Sequence, residues 1–225
     1  WLSYPKEHNH SIFTHTFSFF GSFNEEHNPK YFWIFSTAMI FWGVSGVPLV
    51  FYYYRRMTQI ARFFAATGAL FMLLGCLCTA LVGMFPDARA ELREGLRFTE
   101  VHTKVAIFVS VGYGLGIIIY GLMFLKDFIA KTFFDGDSDF EYRLIALPYV
   151  FWMSITGTGV YMLLKWESIY KAMKAAAAVS GTHVDSSWTE GIKSRIYSFP
   201  LWENIAIYTL YIFLVWLALV LPNEE

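Results

Sequence analysis

TKVAIFVSVGYGLGIIIYGLMFL, residues 103–125, carries one charged side chain, Lys104, and then none for the rest of its length. At ~1.5 Å rise per residue it is roughly 35 Å long as a helix, enough to cross ~30 Å of hydrocarbon. Working outward, four further runs at 31–54, 60–85, 143–164 and 200–221 repeat the pattern. A β-barrel would show ~10-residue alternating segments instead of solid runs. The expected fold is therefore an all-α integral membrane protein: a multi-pass bundle of five transmembrane helices with short interfacial helices, in one domain over residues 1–225.

Composition agrees with that solvent. The chain is 56% apolar and 16% charged, against about a quarter charged in soluble domains. A net charge of −1 provides no basic field to recruit nucleic acid. Cys76 and Cys78 fall two residues apart in the second run, on different faces of a helix, so they cannot bridge each other and read as packing residues. The first residue is Trp1, which predicts a processed or incomplete N-terminus, and residues 1–30 lack the pattern of a signal peptide. Asn9-His10-Ser11 has the form of a glycosylation acceptor.

Between the runs the chain punctuates itself. Phe13, Phe17 and Phe20 stand at helical spacing in 11–23, a segment too short and polar to span, which suits an interfacial helix. Arg55-Arg56-Met57-Thr58-Gln59 is a tight turn between antiparallel neighbours, with Tyr52–Tyr54 marking a membrane boundary. Arg89, Arg93 and Arg97 at i+4 steps predict a short exposed helix in the 86–102 connector. Pro48 predicts a kink in the first span. Gly112 and Gly116 form a small-xxx-small pair for close helix approach. The acidic run Asp135, Asp137, Asp139 fails as a calcium loop, since Phe140 and Ala146 stand where such a loop needs Gly and Glu. After the fourth run the helix is expected to continue through Ala175–Ala178 to a stop at Gly181, then an amphipathic piece at 187–197 with Trp188, Ile192 and Ile196; interfacial helices thus cover about 166–197.

Five spans sort the connectors onto two faces. The N-terminal segment and the 86–102 and 165–199 connectors share one, face B; the 55–59 turn, the acidic loop and the C-terminus share face A. Face B carries 11 Lys and Arg and face A six, which by the positive-inside rule puts face B inside. Face B also gathers the reactive side chains: His8, His10, His15, Asp87, Glu100, His102, Glu203 and Asn204. Two readings stay open. These groups are polar because water is near and helix starts favour acids, or they form a headgroup site or carboxylate–histidine pair, with Asp87 and His102 at its centre and Glu203 and His15 assisting.

Other chemistries find no support. No span holds the mid-membrane histidines of a haem site, no H-x-x-x-H suggests a zinc hydrolase, and the span centres offer Ser, Thr and Tyr in place of a pump's ionisable groups. No metal site and no cofactor is expected.

Ser11-Ile12-Phe13 through Gly21-Ser22, the Arg55-Arg56 that ends the first span, Gly83-Met84-Phe85-Pro86-Asp87 and the His102 that opens the third form a familiar set. Over roughly residues 8–125 the chain resembles the polytopic membrane proteins grouped as domain of unknown function 998, and more distantly the Frag/DRAM/Sfk-like proteins. It departs from them in Ile12-Phe13-Thr14 and in the long 165–199 connector. The resemblance implies a six-helix-type bundle, with one helix ahead of Trp1, no established catalytic activity and links to lipid handling. It singles out Ser11, Phe85, Pro86, Asp87 and His102. The functional expectation is a non-enzymatic accessory or structural subunit of a membrane complex, or a lipid-contacting scaffold, with membrane lipids and other membrane subunits as partners. The alternative is a lipid-modifying or lipid-remodelling membrane enzyme.

Overall fold

The computed structural model describes residues 11–13, 15–23, 31–88, 90–134, 140–180, 196 and 198–221. Five helices carry the chain: α1 (Phe32–Met57), α2 (Arg62–Met84), α3 (Phe98–Phe133), α4 (Tyr142–Ser180) and α5 (Phe199–Val220). Each is long and apolar enough to cross a bilayer. At ~1.5 Å per residue α3 and α4 reach roughly 54 and 58 Å, well beyond the ~30 Å hydrocarbon core. α4 runs unbroken to Ser180, with the exposed Lys171–Glu167 pair at 2.6 Å on its extension.

The core is a three-helix seam in which α2 packs against both α1 and α3. With lipid as apolar as Leu, helices associate where small residues let backbones approach. A Cβ on Gly43 would stand 2.5 Å from the Cys76 carbonyl oxygen, and one on Gly112 would stand 2.5 Å from the Gly75 nitrogen. Neither position can hold a larger side chain unless the helices part. Buried tyrosines then fill the seam and find partners: Tyr113 donates to Cys76 Sγ (3.3 Å), Tyr120 to the Ala65 carbonyl (3.2 Å), and Tyr53 to the Leu214 carbonyl of α5. Cys76 and Cys78 are buried free thiols. Pro48 lies within α1.

Three local expectations need correction. The 86–102 connector is a hairpin of β1 (Glu91–Arg93) against antiparallel β2 (Leu96–Arg97), not a helix. Gly95, at φ +75°, gives the turn the left-handed residue it needs, and so short an isolated helix could not offset its nucleation cost. Residues 11–23 yield only a 3-10 turn at Phe17–Gly21. Their Ser and Thr side chains compete for local bonds, as in Thr16 Oγ1 to Ser18 Oγ at 2.9 Å. Glu203 lies beyond the first turn of α5, whose N-cap is Ser198 and whose first turn has no acid, so the helix-start explanation for it does not apply. His8, His10, Arg89, Asp135, Asp137, Asp139, Gly181 and most of 187–197 lie outside the described residues.

Candidate functional site

At the face B end, chain ends and loops are tied by side chains reaching backbone groups. The segment before the 3-10 turn docks on the start of α5: Ser198 Oγ donates to the Phe13 carbonyl, and Asn204 Nδ2 donates to the His15 carbonyl (3.2 Å) and to that of Pro200 (2.7 Å). The Phe17 ring packs edge-on against Phe35 of α1 (5.5 Å between centroids) and Tyr208 of α5 (5.9 Å). Ser11 Oγ accepts from the Phe13 N–H at 3.3 Å, and His15 Nδ1 accepts from the Ser11 N–H at 3.4 Å.

The Phe85-Pro86-Asp87 segment is fastened to α3. His102 is buried, and its Nδ1 lies 2.7 Å from the Phe85 carbonyl oxygen. A carbonyl only accepts, so Nδ1 carries the proton and donates it. Thr99 Oγ1 donates to the Ala88 carbonyl at 2.6 Å, and the Thr99 N–H joins it at 3.0 Å. His102 therefore grips the backbone beside Asp87 rather than the Asp87 carboxylate. Pro86 is buried and Asp87 half-buried.

Asp87 instead interacts electrostatically with Glu203, whose carboxyl group faces the Phe17 N–H. Glu203 Oε2 and Asn204 Oδ1 are buried acceptors without a hydrogen-bond partner among the described residues. Topology alone thus brought Asp87, Glu203 and the His15 segment to one end, and the structure joins them through loops and helix starts. Among the described residues, no three His, Cys, Asp or Glu side chains are grouped to hold a metal ion.

A second feature had no signal in hydropathy. α3 and α4 approach each other through side chains rather than backbones and flank an apolar groove of about 710 Å³, within the ~300–1,000 Å³ of ligand sites. Its floor is aromatic: Tyr149 donates to the Ile117 carbonyl (3.3 Å) and packs on Phe124 and Phe213, with Trp152 beside Phe213. Arg143, in the first turn of α4, is its one charged lining residue. A second cavity, between Trp42, Tyr113 and Tyr211, holds about 80 Å³, too little for a substrate.

No protein-family model, no curated protein and no solved structure matches this chain.

Proposed function

We propose that this chain is a non-enzymatic membrane scaffold that works through contact with lipid, as an accessory or structural subunit of a larger membrane assembly. One observation carries the reading: both described histidines among the face B candidates are held against backbone. His102 holds the Phe85 carbonyl, His15 Nδ1 the Ser11 N–H, and Asn204 and Ser198 hold the N-terminal segment. A general base must reach a substrate proton, and His102 is buried. The long helices meanwhile turn large apolar side chains outward, Phe41, Phe63, Phe133 and Leu219 among them, which suits lipid or partner helices. The resemblance through Ser11, Phe85, Pro86, Asp87 and His102 points the same way.

A second reading, a lipid-modifying enzyme at face B, draws on the buried, unpartnered Glu203 Oε2 near Asp87. The two readings separate on one experiment. The particle is extracted from native membranes in mild detergent, and its subunits and lipids are measured by native gel and mass spectrometry. Wild type is compared with a triple variant, Asp87→Asn, His102→Gln, Glu203→Gln. The scaffold reading expects stoichiometric partner subunits and the same lipid composition in both. A lipid product present with wild type and absent with the variant would replace it with the enzyme.

A further inference from the structure

We infer that the α3/α4 groove holds one acyl chain of a glycerophospholipid, with the lipid phosphate on Arg143; this rests on the lipid-contacting reading and gives it a site. Depth, lining and charge each favour that occupant. The α4 wall runs from Tyr142 to Gly157, roughly 22 Å at ~1.5 Å per residue. Half of a bilayer with its headgroup region, ~40–45 Å in all, is roughly 20–22 Å, so the groove covers a single leaflet's depth with Arg143 at one end.

The lining is apolar along its length: Ile118, Leu122, Leu125, Ala146, Met153 and Gly157 all face the groove. The outer ones open sideways: Leu122, Leu125 and Met153 are exposed on the bundle's flank, where an acyl chain could enter from the bilayer.

Charge selects the headgroup. Arg143 is exposed and, among the described residues, makes no ion pair or hydrogen bond. Around it, Lys131 lies 5.8 Å from the Tyr142 ring centroid, and the Tyr142 hydroxyl donates to Asp127. That bond engages Asp127 of α3 with Tyr142, the residue before Arg143. A guanidinium binds phosphate oxygens with two parallel N–H donors, and an arginine at a helix end reaches the headgroup level.

The test reconstitutes purified protein in nanodiscs holding equal amounts of phosphatidylglycerol, phosphatidylcholine and diacylglycerol with matched chains. Lipid retained after detergent release is read by native mass spectrometry. Wild type should keep one phospholipid, of either headgroup, at least fivefold over diacylglycerol. Arg143→Gln should bring phospholipid down to the diacylglycerol level. Gly157→Phe should remove retention of all three; a Cβ there meets nothing within 4 Å, so the fold accepts the ring while the groove fills. Equal retention of diacylglycerol and phospholipid by wild type overturns the phosphate contact. Retention unchanged in Gly157→Phe, or a partner polypeptide photocrosslinked from position 122, overturns the groove as a lipid site. Failure of the scaffold reading would appear separately, as a retained lipid whose mass changes with time.

Discussion

The α1–α2–α3 seam and the α3/α4 groove are built from the same kind of residue and behave oppositely. In the seam, Gly43 and Gly112 each have another helix's backbone where a side chain would go. Along the outer helices, Gly114 and Gly157 have open space at the same atom. Membrane helices gain little from hiding apolar surface, because lipid is apolar too; van der Waals fit and interhelical hydrogen bonds decide where they close. Helices close where glycines and buried tyrosines coincide. Where α3 and α4 meet through aromatic side chains, Tyr149 on Phe124 and Tyr142 on Phe128, their backbones stay apart and leave the groove.

The comparison breaks most visibly at Gly112. Gly112→Leu puts carbon against the Gly75 backbone, and backbone cannot rotate away. Overpacking costs ~1–3 kcal/mol and more where nothing yields. A loss of about 3 kcal/mol or more is expected in detergent unfolding, with aggregated elution. His102→Ala should cost about 1–2 kcal/mol by leaving the Phe85 carbonyl without its donor. It should also speed hydrogen exchange at 85–88, with no change in membrane lipid composition. Tyr53→Phe removes the bond to the Leu214 carbonyl and should cost about 1 kcal/mol, in the range of interhelical bonds in lipid. Gly114→Leu should change stability by less than about 0.5 kcal/mol, and a loss comparable to that at Gly112 would erase the distinction between the two regions.

Span existence was legible because solid apolar runs have no competing interpretation. The ends were less so: α3 begins at Phe98, five residues before the apolar run from 103, because a helix continues through polar residues when its turns are satisfied. The 86–102 hairpin was misread because arginines four apart fit a helix face and a two-strand ladder equally well; Gly95 was the signal that distinguishes them. Gly112 and Gly116 announced themselves by spacing, whereas Gly43 could not, since its role depends on Cys76 of another helix. At face B, chain order brought Asp87, Glu203 and the His15 segment to one end, but not the partners His102 and Asn204 would choose. The groove had no signal at all: the exposed Leu122 and the buried Ile117 are equally apolar in sequence.

Trp152 lines the groove floor and reports on its contents. Phospholipid with acyl chains brominated at mid-depth quenches a tryptophan that it touches, and the Trp152→Phe variant isolates this ring's share of the emission. Lipid in the groove predicts that Trp152 emission is strongly quenched in wild type and recovers in Gly157→Phe. Trp152 emission that bromine leaves unquenched in wild type would contradict it, and the α3/α4 gap would not be a lipid site.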